Sequence, residues 1–231
     1  MAKKKKNQSP DQLEAVENVL TRTEQFVEDN QKKLTTVVLI ILAAVTVFMG
    51  VRKYYIRPMQ DEALSQMYVA EQYFEADSFN LALWGDGSNY GFMDIIDEYG
   101  LTKQGNLAKY YAGISYLYQK EYEECITYLK KFKKKDGLQG AVAYGVIGDA
   151  YWELDDPENA LQYYLKAADY NDNDFTAPFY MNKAGYVYES MGEHDKAVAI
   201  FQKVKDKYPE SEEGYLVDKN IMKNQILLNK N

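Results

Sequence analysis

The sequence has 231 residues, of which 46% are hydrophobic, 22 are tyrosine and only five are proline, a composition that favours packed helices over strands separated by turns. Its net charge is −8, and the part beyond Pro58 carries 17 Lys against 29 Asp and Glu, which excludes a phosphate-binding face for nucleic acid there. A single cysteine, Cys125, and a single histidine, His194, exclude an intramolecular disulfide and speak against an ordinary zinc site, so we expect no metal and no cofactor.

The N-terminal segment, residues 1–33, is predicted to be cytoplasmic and to contain a short amphipathic helix. Ser9 before Pro10 has the pattern of a helix cap followed by proline in the first turn. The apolar residues that recur at helical spacing after this cap are Leu13, Val16, Leu20 and Val27. Such a helix would lie on the membrane face or against a partner; a partly ordered polar tail is the alternative. We interpret the Lys3–Lys6 run as a topology signal.

Residues 34–51 are predicted to form a transmembrane helix, because they contain 18 uncharged residues in succession. A helix of this length covers roughly 27 Å, close to the hydrocarbon thickness of a bilayer. The basic and aromatic residues that flank it and suit the headgroup layer are Lys32, Lys33, Arg52, Lys53, Tyr54 and Tyr55. A buried core helix would carry a polar face, and a cleaved signal peptide would lie nearer the start of the chain.

The distribution of basic residues predicts the orientation of this span. Seven Lys and Arg precede it within residues 1–33, whereas three follow it closely. Because positive charge is retained in the cytoplasm, we expect a single-pass inner-membrane protein with a cytoplasmic N-terminus. In a Gram-negative cell the C-terminal domain would then be periplasmic.

Residues 52–105 are predicted to form a juxtamembrane linker and a divergent first helical repeat. Apolar residues at helical intervals predict one helix over Asp61–Phe79 and a second over Phe92–Tyr99. A glycine-rich loop, Gly85–Gly91, separates them.

Residues 106–210 show an internal period. Gly113, Gly148 and Gly185 are 35 and 37 residues apart. The residues that recur three, twelve and sixteen positions after each glycine are Tyr116, Tyr151 and Tyr188, then Cys125, Ala160 and Ala197, and then Leu129, Tyr164 and Phe201. The period and residue types resemble the tetratricopeptide (TPR) family, whose repeat is about 34 residues long. We therefore predict an all-α chain, with one transmembrane helix followed by a TPR-type α-solenoid in which small residues let antiparallel helices approach and large residues fill the space between repeats.

The concave face of such a solenoid is lined by the first helix of each pair, which locates a protein-binding groove. The residues predicted to line it are Tyr110, Tyr118, Asp149, Trp152, Glu153, Asn182, Tyr186 and Glu189. None of these positions is basic, so we expect an aromatic and acidic groove that suits an extended apolar or basic polypeptide segment. The alternative for the aromatic residues is packing between helices.

Residues 211–231 are predicted to form a C-terminal capping helix. Ser211 has the character of a helix cap, and Leu216, Ile221 and Ile226 are interpreted as one apolar side. A capping helix is expected to present a polar outer face.

No catalytic motif is recognisable in the sequence, and the chain is not expected to be an enzyme. His194 is interpreted as a solvated turn residue and Cys125 as a packing residue. Lys130, Lys131 and Lys133–Lys135 offset the dipole at a helix end, or alternatively form a docking patch for an acidic partner.

The order of these parts also resembles one family over the full length of the chain. The segments that carry the resemblance are Asp11–Val16, Phe26–Lys33, the span itself, Arg52–Tyr55 and Gly214–Leu228. They are similar to the YfgM-like family of ancillary subunits of the SecYEG translocon.

This resemblance implies a scaffold or chaperone beside the SecYEG channel, with its TPR domain in the periplasm. It further implies pairing with a PpiD-like membrane-anchored chaperone and contact with unfolded or secreted polypeptides. A TPR adaptor for another cell-envelope assembly is the alternative, and a receptor facing the cytosol would require the opposite orientation.

Overall fold

The computed structural model describes residues 10–134 and 137–229, with side chains from Phe26 onward. The predicted topology signal Lys3–Lys6 and the predicted cap Ser9 lie outside these residues. The chain divides into two units, residues 1–57 and 58–231. The described elements are α1 (Pro10–Val51), a π-helical segment (Arg52–Ile56), α2 (Arg57–Glu75), α3 (Phe79–Trp84), α4 (Phe92–Tyr99), α5 (Lys103–Tyr118), α6 (Tyr122–Lys131), α7 (Gly137–Glu153), α8 (Pro157–Tyr170), α9 (Thr176–Ser190), α10 (His194–Lys207) and α11 (Glu212–Leu228).

The first unit consists of α1 and the π-helical segment. The sequence predicted two separate helices where the structure has one helix of 42 residues. No proline follows Pro10 within α1, and the only glycine, Gly50, comes near its end, so nothing in the sequence stops the helix between the polar and apolar parts. The π-helical segment follows, where the N–H of Arg57 donates to the carbonyl of Arg52, five residues earlier.

The second unit is built from helical hairpins that end their first helix with the same turn. The turn residue has a positive φ, which returns N–H groups to the last carbonyls of the helix. These residues are Asp77 (φ 54°), Lys120 (64°), Asp155 (55°) and Gly192 (75°). The next N–H in the chain donates in each case to the carbonyl of a tyrosine, and these are Tyr73, Tyr116, Tyr151 and Tyr188. Three of these tyrosines belong to the sequence period; the fourth, Tyr73, shows that α2 and α3 are a further hairpin in the same register.

The three glycines of the period lie where the two helices of a hairpin approach closely. A Cβ atom built on Gly113 would be 2.5 Å from Cγ of Leu129, and one on Gly148 would be 2.7 Å from Cδ1 of Tyr164. The corresponding distance from Gly185 to Cζ of Phe201 is 2.5 Å. Carbon atoms in contact are normally about 3.5–4 Å apart, so a side chain does not fit. The predicted close approach of two helices at small residues is confirmed, and the large residue that meets each glycine belongs to the same hairpin.

The first hairpin departs from the others through an insertion. Ala70 takes the place of the glycine, and Ala82, twelve positions later, is the fully buried small residue. The spacing from Ala70 to Gly113 is 43 residues, longer than the other spacings by about the seven residues of the loop Gly85–Gly91. Helix α3 was not predicted from the sequence, because six residues are too few to show a helical period.

The inserted loop is organised around one carboxylate. Asp86 accepts hydrogen bonds from the hydroxyl of Tyr73 (2.7 Å), from the backbone N–H groups of Ser88 (2.8 Å) and Asn89 (2.7 Å), and from the side chain of Asn89 (2.9 Å). These donors, that of Tyr73 first, hold the pKa of Asp86 well below its usual value. The chain then enters α4 at Phe92, which is fully buried and stacks on Tyr111 with ring centroids 5.3 Å apart.

The last helix, α11, is capped by Ser211, whose hydroxyl oxygen accepts from the N–H of Gly214 (3.0 Å). Its predicted apolar side is wrong: Ile221 is buried, but Leu216 and Ile226 are exposed. Residues five apart are rotated by about 140° on a helix, so these three cannot share a face. The inward positions are Val217, Ile221 and Asn224.

Candidate protein-binding groove

A concave cavity of about 600 Å³ is formed by the first helices of three successive hairpins. Five of the residues predicted to line the groove meet there, and they are Tyr118, Asp149, Trp152, Glu153 and Tyr186. The residues that the prediction did not include are Leu117, Lys120, Tyr122, Tyr164, Lys183 and Val187. The period brings positions from α5, α7 and α9 to one face, because each hairpin stacks on the next with little rotation.

Three aromatic side chains of this groove are open to solvent. Tyr118 is 62% exposed, Trp152 41% and Tyr186 47%. Tyr118 also stacks on Phe79 of α3, with ring centroids 4.5 Å apart and an interplanar angle of 3°. Tyr and Trp offer large contact areas at a low cost in conformational entropy, so these side chains are suited to bind a partner.

The carboxylates of the groove are already bonded within the protein. Asp149 accepts a hydrogen bond from the Tyr164 hydroxyl (2.6 Å) and forms an ion pair with Lys183 Nζ (2.6 Å). Glu153 accepts from the hydroxyl of Tyr122 (3.0 Å). Burial, and then the charge of Asp149, raises the pKa of Tyr164 far above its usual value, so this hydroxyl remains a donor at physiological pH.

The sequence predicted an acidic groove, and this prediction is wrong. Lys120 and Lys183 line it together with Asp149 and Glu153, which gives two charges of each sign. Lys183 was missed because it lies beside the predicted position Asn182, and its long side chain reaches the neighbouring hairpin. A spacing of 34 residues between Asp149 and Lys183, one repeat length, was the signal available in the sequence.

The remaining predicted residues lie elsewhere. Tyr110 packs within the core beside Phe132, with ring centroids 5.3 Å apart, and burial raises its pKa to about 12. Glu189 forms an ion pair with Lys223 and accepts from the side chain of Asn224 (3.0 Å), both on α11. Asn182 lies in a separate cavity of about 380 Å³ between α9 and α11.

The residues predicted to flank a membrane span are on the first unit. Lys32 and Lys33 are exposed on α1, and the four residues Arg52–Tyr55 form most of the π-helical segment. The described residues contain one helical stretch, Phe26–Glu75, with a window long and apolar enough to cross a membrane, and no part of that window is buried. Such a helix near the N-terminus has the properties of a membrane anchor or a signal sequence.

The single cysteine and the single histidine both contact other parts of the fold. Cys125 is fully buried, as predicted, and burial raises the pKa of its thiol to about 12. His194 is not a solvated turn residue: it is half-buried at the start of α10, with Nδ1 2.7 Å from Oδ1 of Asn224. No group of three or more His, Cys, Asp or Glu suited to hold a metal is found in residues 10–134 and 137–229.

Comparisons with known proteins agree with this geometry. Tetratricopeptide repeat models match residues 107–136, 141–174 and 183–211, which correspond to the hairpins α5–α6, α7–α8 and α9–α10. No curated protein matches the sequence.

Solved structures show the same fold. The nearly identical TPR-like repeats of a kinesin light chain from Podosopora anserina are similar with a TM-score of 0.57 at 9% identity, covering 74% of this chain and 89% of that one. The MamA protein is similar with a TM-score of 0.50 at 20% identity, covering 73% of this chain and 88% of that one.

The fold follows from the repeat period, the shared turn, the close glycine contacts and the matched repeat models. The fold is an all-helical TPR solenoid with a long apolar N-terminal helix. Scaffolds with this fold are typically non-enzymatic and bind other proteins. Residues 107–136, 141–174 and 183–211 are tetratricopeptide repeats.

Proposed function

We propose that this chain is a membrane-anchored scaffold or chaperone whose groove binds extended, apolar segments of other polypeptides. The observation that carries the proposal is the set of exposed aromatic side chains, Tyr118, Trp152 and Tyr186, around the ion pair that Asp149 forms with Lys183. An apolar segment on these rings would leave this ion pair intact, so neither Asp149 nor Lys183 would become an unpaired charge out of water. Because the groove carries equal numbers of positive and negative charges, we favour an apolar ligand over a basic one, the other kind of segment expected from the sequence.

Replacing Trp152 with alanine is expected to weaken binding of such a segment by at least about tenfold, because an aromatic anchor commonly contributes 2 kcal/mol or more. The probe is a fluorescently labelled peptide of alternating leucine and asparagine with blocked ends, titrated against the full-length protein in detergent. Trp84→Ala is the matched control, since Trp84 is also exposed but does not line the groove. Equal loss in both variants, or no loss in either, would contradict the proposal.

Membrane anchoring by residues 34–51 is proposed from the exposed apolar surface of this helix. Ile40→Asp combined with Ala44→Asp is expected to release the protein from membranes at alkaline pH, because each carboxylate costs about 3 kcal/mol at the centre of a bilayer. Val27→Asp with Gln31→Asp, outside the span, is the control and should remain bound. Release of the unmodified protein under the same conditions would exclude an anchor, and a shortened mature chain would indicate a signal sequence.

The predicted inner-membrane location and orientation rest on the distribution of basic residues around the span. A periplasmic C-terminal domain predicts that protease cuts it only after the outer membrane is opened. Digestion that requires lysis of the inner membrane would reverse the orientation and favour a cytosol-facing receptor.

Association with SecYEG and a PpiD-like chaperone is supported by the N-terminal resemblance described above. A photo-crosslinking residue at Trp152 in living cells, with Trp84 as the reference position, tests it through the identity of the neighbour. Channel subunits, the chaperone or secreted chains are the expected products. Reproducible products from another envelope assembly would replace the translocon with the alternative, a TPR adaptor.

A further inference from the structure

Another cavity, of about 410 Å³, lies between the start of α5 and the loop that follows α6, and among the described residues every charged side chain that lines it is basic. These are Lys103, Lys109 and Lys133. None of them forms a side-chain ion pair with another residue in the two described ranges, whereas five other lysines of this unit do. We call this cavity the lysine pocket. It shares no lining residue with the groove around Tyr118, Trp152 and Tyr186, which we call the aromatic groove.

The backbone that presents Lys133 is held in place from two sides. The side chain of Asn106 on α5 donates to the carbonyl of Lys133 (3.1 Å) and accepts from its N–H (2.8 Å). Lys134 Nζ turns inward and donates to the carbonyl of Leu129 (2.7 Å). The neighbouring Phe132 is buried. The pocket is thus largely preformed, which lowers the entropy cost of binding.

The electrostatics of the pocket are unbalanced. Burial, and then the nearby charges of Lys133 and Lys131, lowers the pKa of Lys109. The part of the chain beyond Pro58 has a large excess of acids, yet no acid among the described residues lines this cavity. Like charges gathered at a half-buried position destabilise one another, and a bound anion would relieve that repulsion.

The uncharged residues that line the pocket indicate which kind of ligand it can bind. Leu101, Leu107 and Phe132 also line the pocket, and Leu101 is largely exposed. A partner that combines carboxylates with an apolar side chain would contact both kinds of wall. A bilayer of anionic lipid fits less well, because a flat surface would also meet the surrounding acidic domain and be repelled by it.

We propose that the lysine pocket binds an acidic segment of a partner polypeptide, with carboxylates on Lys103, Lys109 and Lys133 and an apolar side chain against Leu101 and Phe132. This surface is additional to the aromatic groove. A partner can therefore be held at one surface while an apolar segment occupies the other.

The test uses the full-length protein in detergent and a labelled peptide of alternating glutamate and leucine with blocked ends, so that no terminal carboxylate takes part. Lys109→Gln combined with Lys133→Gln is expected to weaken binding at least about tenfold, since each charged hydrogen bond contributes more than 1 kcal/mol. Lys166→Gln with Lys203→Gln, which removes two exposed lysines outside the pocket, should leave the affinity unchanged. Raising the salt concentration should weaken binding to the unmodified protein.

Several outcomes would overturn the proposal. One is equal affinity of the pocket variant and the unmodified protein, and another is equal binding of a peptide in which glutamine replaces glutamate. Lysine-dependent binding of short-chain phosphatidylglycerol without binding of the acidic peptide would make the pocket a headgroup site instead. Trp152→Ala is expected to leave the acidic peptide bound, so failure of the groove proposal and failure of this one are distinguishable.

Discussion

Replacing Phe201 with alanine is expected to lower the free energy of unfolding by about 3–5 kcal/mol, the usual cost of removing a buried aromatic side chain. Phe201 is fully buried and packs in one cluster with Val217 and Ile221 of α11. It also lies against Gly185, which supplies no side chain to fill the space that would be left. Because the residue joins the third matched repeat to the last helix, α11 should lose hydrogen-exchange protection first.

The matched control for this prediction is Phe175→Ala. Phe175 is 77% exposed, so the same chemical change should alter the free energy of unfolding by less than about 0.5 kcal/mol. Urea unfolding of both variants, followed by circular dichroism, gives the comparison. Similar losses at the two positions would mean that Phe201 does not join α11 to the repeats.

Gly148→Val is expected to cost up to about 3 kcal/mol through overpacking. The new Cβ atom would lie 2.7 Å from Cδ1 and Cε1 of Tyr164 and 3.3 Å from the carbonyl oxygen of Ala160. The tyrosine ring cannot move away freely, since its hydroxyl donates to Asp149. The variant should therefore also bind the apolar peptide more weakly, because the bond that it strains organises the groove.

Gly137→Val on the same helix serves as the comparison for Gly148→Val. The three atoms nearest its Cβ atom would belong to the side-chain amide of Asn171, with the nearest 2.7 Å away, and the far end of a flexible side chain shifts at low cost. Its unfolding midpoint and its peptide affinity should stay close to those of the unmodified protein. If both valine variants behave alike, the α7–α8 approach is looser than the structure indicates.

The pairing of carboxylates with lysines in the structure changes which partner suits the groove. From the sequence, the carboxylates Asp149, Glu153 and Glu189, together with the aromatic residues, suited an extended apolar or basic segment. In the structure Asp149 is bonded to Lys183, and Glu189 to Lys223. Only Glu153 remains solvent-exposed at the groove, and it accepts from Tyr122. The exposed aromatic rings are left as the principal contact surface.

The fold could be predicted because its signals are local or periodic. The glycine, tyrosine and small-residue positions recur within each repeat, and the contacts they make lie within one hairpin, sixteen residues apart. The first hairpin could have been found in the same way, since Ala70, Tyr73 and Ala82 keep the spacing up to the loop. The inserted residues hid it from a search for a fixed period.

The amino-acid sequence by itself determined the helical class, the repeat length, the residues that let helices approach and the apolar helix near the N-terminus. Tertiary structure alone decided which charges are paired: Asp149 pairs with Lys183, whereas Lys109 has no ion-pair partner among residues 10–134 and 137–229. The physical reason is that a period fixes the face on which a residue lies. Whether a long, flexible side chain reaches a group one repeat away depends on how the hairpins stack.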